Sequence, residues 1–346
     1  NRRMKIMDTE LKVKVLKRIA CIITMILILL NFNLTLPVQA ADNESSSTSK
    51  FITVDSKDMH IVLYGDLDQN GVTFADPSKE TLVMLPALAV PSPNVYFKPL
   101  AEALSSAYNV VVIEPFGYGL SDMTESVRTV ENINSELYDA LETLGIDTCT
   151  LLVHSISGVY GLHFLYSYPE KVDAFIAIDN TVYDEELSEA LAMEQDYMLQ
   201  TAEEFDELRN TFGSVKEFEA VIAADPSQYG AELPDVIGYT YTESDQEEYY
   251  RAFARSSNQT IQNEIQNMEN SLESIEGKKF PSALPVLTLL SSDNVEAISA
   301  WKTAHQNQLD FSSGNHKLHI LEGSHYIWYS NLNDLVNYNM NDRIGR

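Results

Sequence analysis

The sequence predicts an α/β fold: a mostly parallel, twisted sheet with helices on both faces and an inserted helical cap. Three observations predict it. Short apolar runs at 81–85, 109–113, 150–153, 174–178, 285–290 and 317–321 have the length and continuity of strands buried on both faces. Between them, apolar residues recur at helical spacing, as in Phe97, Leu100, Ala101, Leu104 and again in Val130, Ile133, Leu137, Leu141, Leu144. From Tyr183 to about Lys279 the strand signal disappears and helical patterning takes over. Buried strands alternating with helices pair in parallel, with crossover helices packed on the sheet.

In chain order, a basic region (Arg2, Arg3, Lys5, Lys12, Lys14, Lys17, Arg18) precedes an apolar run at 19–36. Pro37-Val38-Gln39-Ala40-Ala41 then fits cleavage after Ala40. Residues 1–40 therefore read as a signal peptide, or else as an uncleaved membrane anchor, since the 18 residues at 19–36 just span a bilayer. Either way the expected location is extracellular or at the cell surface, with a possible tether through this segment. Residues 41–50 form a polar linker. Residues 51–55 and 59–64 alternate and carry β-branched side chains, a hairpin turning at 56–58. Residues 51–180 and 281–346 make the core, and 181–280 the cap. Within the core a helix is expected from Val295 to about Gln308, and a final helix after His325.

Composition narrows the function. Of 346 residues, 45% are apolar and 21% charged, and the net charge is −28. Removing the first 40 residues leaves 16 basic residues against 49 acidic. Such a surface repels phosphate backbones and anionic lipid, so nucleic acid is excluded as a partner. Residues 184–276 hold 23 acids and four basic residues, which reads as a solvated face. Cys21 precedes most of the leading apolar run, so Cys149 alone remains after processing, and no internal disulfide or cysteine metal site forms. No HExxH or paired-histidine spacing occurs, and no Gly-x-Gly-x-x-Gly follows a strand, so neither metal nor nucleotide cofactor is expected.

The chemistry centres on Leu151-Leu152-Val153-His154-Ser155-Ile156-Ser157-Gly158. An apolar run ends in a serine, and a helical pattern follows at once. A tight strand-to-helix turn holds a serine hydroxyl clear of the backbone, and Ser157 and Gly158 are small enough to permit it. Near neutral pH that hydroxyl needs a histidine to take its proton and an acid to hold the histidine's tautomer. His325 follows the strand at 317–321 and Asp293 follows the strand at 286–290, so both sit at strand ends. Asp179, after the strand at 174–178, is the alternative acid. Glu296 is a remote third, and Asn294 occupies the acid position if the loop is one residue longer.

These residues resemble the α/β-hydrolase superfamily, of the capped serine esterase, lipase and peptidase-like kind (alpha/beta hydrolase-1 type). Glu114-Pro115-Phe116-Gly117-Tyr118-Gly119-Leu120-Ser121-Asp122 is similar to the family's Asp-x-x-Gly-x-Gly-x-Ser signature. His154-Ser155-Ile156-Ser157-Gly158 matches its nucleophile turn, Ser291 to Asn294 its acid loop, and Gly323-Ser324-His325 its base segment. The resemblance covers roughly residues 50–340. It implies Ser155 as nucleophile, His325 as base, Asp293 as acid, and the N–H groups of Ile156 and Leu88 as oxyanion donors. Two departures stand out. Val153 replaces the usual first glycine, which implies a slightly wider turn. Pro86-Ala87-Leu88-Ala89 replaces His-Gly-x-Gly, and its alanines must avoid conformations that only glycine tolerates.

The expected function is hydrolysis of an ester, thioester or amide of a small, partly apolar substrate through an acyl-enzyme. Serine argues against epoxide or haloalkane chemistry, for which the family uses aspartate. An aminopeptidase-like hydrolase and a non-catalytic ligand-binding member are the alternatives. No partner protein is inferred. His154 reads as packing against the far side of the turn and His163 as a satisfied core residue. His60, His305, His316 and His319 have no acid partner in the sequence pattern.

Overall fold

The computed structural model describes residues 47–68 and 74–341. The signal or anchor at 1–40, with Cys21, and the linker as far as residue 46 lie outside the described residues. No helix among the described residues is long and apolar enough to cross a membrane.

Eight strands form one sheet: β1 (Ser47–Val54), β2 (Lys57–Tyr64), β3 (Thr81–Leu85), β4 (Asn109–Ile113), β5 (Cys149–His154), β6 (Val172–Ile178), β7 (Val286–Ser291) and β8 (His316–Leu321). Their spatial order is β1-β2-β4-β3-β5-β6-β7-β8. β2 pairs antiparallel with β1 and β4; every pair from β4 to β8 is parallel. The hairpin turns on two residues, Asp55 and Ser56, at φ 47° and 64°. The last four linker residues, 47–50, are not a tether but part of β1, where Ser47 pairs with Tyr64. Backbone pairing carries the polar stretch into the sheet despite its composition.

Alternation along the strands divides the core in two. Val83, Leu85, Val111, Ile113, Leu151 and Val153 face one cluster, which includes helices α2 (Val130–Leu144) and α3 (Ser157–Ser167). Leu82, Met84, Val110, Val112 and Leu152 face the other, with α1 (Pro93–Leu104) and α12 (Ile327–Asn341). Helices therefore cover both faces, which is why these strands carry apolar side chains at consecutive positions. Thr129 caps the start of α2, and Gly145, at φ 67°, ends it.

Between β6 and β7 run six helices and no strand: α4 (Glu185–Asn210), α5 (Val215–Ala224), α6 (Pro226–Tyr229), α7 (Glu243–Arg255), α8 (Gln259–Gln266) and α9 (Met268–Glu273). Part of this segment has its own aromatic core of Phe205, Phe218, Tyr229 and Phe253. It meets the strand-end loops through Ile261, Ile265, Met198 and Leu199, which pack with Leu88, Ala89 and Tyr118. The helix expected at 295–308 is two helices, α10 (Ser292–Ala297) and α11 (Trp301–Gln308), because Ile298 adopts an extended conformation between them.

The register aligns the carboxyl ends of the central strands. Leu85 lies opposite Val153, His154 opposite Ile178, and Ser291 opposite Leu321. The residues that follow these ends come from distant parts of the chain to one edge of the sheet.

Candidate active site

Ser155 is the first residue after β5 and takes φ 57°, a left-handed conformation costly for any residue with a Cβ. The turn is pinned from both sides. Its carbonyl accepts the amides of Gly158 (2.9 Å) and Thr181 (2.8 Å). A Cβ on Gly158 would lie 2.6 Å from the Asn180 side chain, so any larger residue three positions after Ser155 would force that side chain or the turn to move. Val153, which stands where a glycine is usual, is accommodated elsewhere. Gly161 on α3 has no side chain, and a Cβ there would come within 2.8 Å of Val153 Cγ1. The space that the turn does not provide is provided by the helix.

His325 lies between β8 and α12, and its Nδ1 is 2.7 Å from Asp179 Oδ2. Asp179 follows β6 at φ 40°, is fully buried and accepts four further hydrogen bonds. These come from Ser291 N (3.0 Å), Ser291 Oγ (2.9 Å), Asn294 Nδ2 (2.6 Å) and Trp301 Nε1 (2.8 Å). Burial alone would push its carboxyl up. The His325 ring, the Ser291 amide and the Trp301 indole outweigh burial and hold it below the usual range.

The acid expected first, Asp293, is not beside His325. It sits in the first turn of α10, partly exposed, and its carboxylate accepts from neighbouring Ser292 Oγ at 3.4 Å. Burial, followed in effect by nearby Glu296 and Asp179, raises its pKa against the Ser292 bond. Asn294, one residue on, reaches into the pair instead, with Nδ2 3.3 Å from His325 Nδ1. Glu296 lies on the same short helix. Of the candidate acids, the structure brings the alternative, Asp179, to the histidine.

No hydrogen bond joins the Ser155 hydroxyl to the His325 ring among the described residues. The amides of Ile156 and Leu88 likewise donate to no protein acceptor among the described residues. Beside them, Ala89 takes φ 57°, the conformation its loop was expected to avoid. Its amide is tied to the Tyr118 hydroxyl at 3.2 Å. Tyr118 in turn donates to Glu264 Oε1 at 2.9 Å, as does Tyr160. Glu264 is buried on α8, and burial raises its pKa against Arg128 and the two phenols. A strained loop is thus braced by a carboxylate from the helical segment, a link that spans 146 residues between Tyr118 and Glu264.

A second buried pair also has no sequence signal. His60 Nδ1 lies 2.8 Å from Glu114 Oε2, both without exposure, and Glu114 also accepts from Leu120 N at 2.7 Å. A Cβ on Gly119 would overlap that carboxylate, so the second glycine of the Gly-x-Gly turn makes room for Glu114. His154 and His305 are buried and hydrogen-bonded rather than merely packed.

A sheet of this order, with Ser155, Asp179 and His325 on the loops after β5, β6 and β8, has the layout of α/β proteins that bind ligands at the carboxyl edge of a parallel sheet. The chain belongs to the alpha/beta hydrolase fold family, whose model matches residues 80–322. It is 23% identical over 269 residues to the uncharacterized protein YbdG of Bacillus subtilis, covering 76% of this chain and 74% of that one. Among solved structures, the Cif epoxide hydrolase from Acinetobacter nosocomialis superposes with TM-score 0.60 at 16% identity, covering 87% of this chain and 90% of that one. Naproxen esterase from Bacillus subtilis superposes with TM-score 0.52 at 13% identity, covering 86% and 92%.

Proposed function

We propose that the protein is a serine hydrolase acting on a carboxylic ester of a small, partly apolar substrate. The observation that carries this reading is the 2.7 Å contact between His325 and the buried Asp179, at the strand end next to the one bearing Ser155. Asp179 holds the proton on Nδ1, which leaves Nε2 as the base. Ser155 Oγ attacks the carbonyl carbon while Nε2 takes its proton. The carbonyl oxygen becomes an oxyanion, received by the N–H groups of Ile156 and Leu88. Collapse expels the alcohol, which leaves with the proton from Nε2. Water then repeats the sequence on the acyl-serine and releases the acid.

Ser155 stands where the family's epoxide- and haloalkane-acting members carry aspartate, which favours an acyl-enzyme. Met198, Leu199, Ile261 and Ile265, packed near Leu88, favour an apolar acyl group. The protein is further proposed to be secreted or surface-anchored through residues 1–40, on the basic and apolar pattern of that segment. The test is a panel of p-nitrophenyl esters and aminoacyl arylamides on purified protein, with Ser155→Ala as control. Ester turnover that Ser155→Ala abolishes supports the reading. Turnover of arylamides alone moves it to a peptidase, and no turnover of either by folded protein overturns it.

A further inference from the structure

His154, the last residue of β5, is fully buried and touches the base through its main chain. Its Nε2 lies 2.8 Å from the carbonyl oxygen of His325. A carbonyl only accepts, so Nε2 carries the proton. Nδ1 is then a lone pair, and it faces the Tyr96 hydroxyl at 2.5 Å, which donates to it. Both ring nitrogens are satisfied by a neutral imidazole in a single tautomer. Burial, and then the neighbouring His325 ring, pull its pKa well below the usual histidine range, against the bond to the His325 carbonyl and the charge of Asp179.

The surroundings leave this unit little freedom. The His154 and His325 rings are 4.4 Å apart, and Trp328 lies edge-on to both His154 (5.0 Å) and Tyr96 (4.9 Å). Trp328 Nε1 also donates to the Tyr96 carbonyl at 3.2 Å. The His325 segment is a loop between β8 and α12, and Gly323 within it takes φ 131°. Asp179 holds the imidazole of His325 at Nδ1, and the Asp293 amide and Ser292 hydroxyl hold the loop at Gly323, two residues earlier. The carbonyl of His325 is held by His154.

We propose that His154, its tautomer fixed by Tyr96, is a positioning residue that anchors the His325 backbone and sets the approach of Nε2 to Ser155. The inference rests on the reading of Ser155, His325 and Asp179 as a catalytic triad. A displacement of about 1 Å at a reacting group costs on the order of 100-fold in rate. Loss of this main-chain anchor should therefore lower kcat by roughly 10- to 100-fold and leave KM nearly unchanged.

The experiment uses p-nitrophenyl butyrate turnover by the full chain and its His154→Leu, His154→Gln, Tyr96→Phe and Ser155→Ala variants. The expected results are a kcat loss in folded His154→Leu at constant KM, and substantial recovery in His154→Gln, whose amide N–H can reach the carbonyl. Tyr96→Phe, which strips the buried Nδ1 of its donor and leaves the ring held from one side only, should fall between. Nitrogen-15 spectra of the wild-type imidazoles should show His154 neutral and protonated at Nε2. Wild-type kcat in folded His154→Leu, or a proton on Nδ1, overturns the role. If His154→Leu does not fold, Tyr96→Phe decides: lower kcat at constant KM supports the role, and unchanged kcat overturns it. Turnover that survives Ser155→Ala sinks the triad itself, whereas loss in Ser155→Ala with no effect at His154 sinks only the positioning role.

Discussion

Replacing Asp179 by Asn should abolish turnover without unfolding the protein, and the reason lies in its five donors. Two are obligate donors on one oxygen: Ser291 N at 3.0 Å and Trp301 Nε1 at 2.8 Å. The three on the other oxygen can reverse. Ser291 Oγ can rotate, the Asn294 amide can flip, and His325 Nδ1 can shed its proton. The carboxamide introduced by Asp179→Asn would keep its oxygen toward the obligate donors and turn its NH₂ toward the adaptable three. That NH₂ would donate to Nδ1 and fix the His325 proton on Nε2, so the ring could no longer accept from Ser155. Loss of the correct tautomer costs roughly 10³- to 10⁴-fold in kcat, about 4 to 5.5 kcal/mol of transition-state stabilisation. The cost in folding is smaller, about 1 to 3 kcal/mol for imperfectly matched buried polar groups. It should also depend on pH. The folded-state pKa of Asp179 is depressed, so its contribution is present above the ordinary aspartate range and is lost as pH falls through the folded value. The stability gap between wild type and Asp179→Asn should therefore narrow in acid. Ester kinetics and thermal unfolding on Asp179→Asn and Asp293→Asn read all of this. Asp293→Asn should stay within about twofold of wild type, because its carboxylate accepts from Ser292 and makes no hydrogen bond to His325. Activity lost at Asp293 and kept at Asp179 would refute the reasoning.

Other expectations follow from packing and strain. Gly161→Ala drives a methyl to within 2.8 Å of Val153 Cγ1 and 2.9 Å of Phe175 Cζ. It should cost about 1 to 3 kcal/mol in chemical denaturation, and Val153→Gly in the same chain should recover part of that. Tyr118→Phe strips the Ala89 amide of its acceptor and Glu264 of one donor. It should lower the melting temperature and slow ester turnover by roughly tenfold, as loosening beside the proposed oxyanion donor Leu88 predicts. Unchanged rate and stability would contradict the bracing role. Burial pushes the Cys149 thiol up to about 12. A disulfide reagent at pH 8 should leave Cys149 unmodified in the folded protein and label it at once in denaturant.

Much of this arrangement was legible in the residues themselves. Apolar runs such as Val110-Val111-Val112 admit no solvent-facing side and so declare a covered sheet. The tight strand-to-helix turn at Ser155 was legible because strand, small residues and helix meet there. The carboxylate that meets His325 was not, because strand ends β6 and β7 both offer one, and sequence order does not say which loop reaches the histidine. One residue decides it: α10 begins immediately after β7, which brings Asn294 rather than Asp293 to the His325 ring. The compensation of Val153 by Gly161 was hidden because it joins a strand to the following helix through packing. The His60–Glu114 pair, 54 residues apart, and the Tyr118–Glu264 bond depend on which elements become neighbours in space. The strain at Ala89 was invisible for a different reason. Alanine carries no mark of a left-handed conformation, and its cost is offset by a hydrogen bond to a distant tyrosine.

The most direct measurement is a crystal structure of the protein after reaction with an aryl alkylphosphonate. The account predicts phosphorus bonded to Ser155 Oγ, His325 Nε2 within hydrogen-bond reach of that oxygen, and the phosphoryl oxygen about 3 Å from the amides of Ile156 and Leu88. Phosphorus on another residue, or a phosphoryl oxygen turned away from both amides, would contradict it.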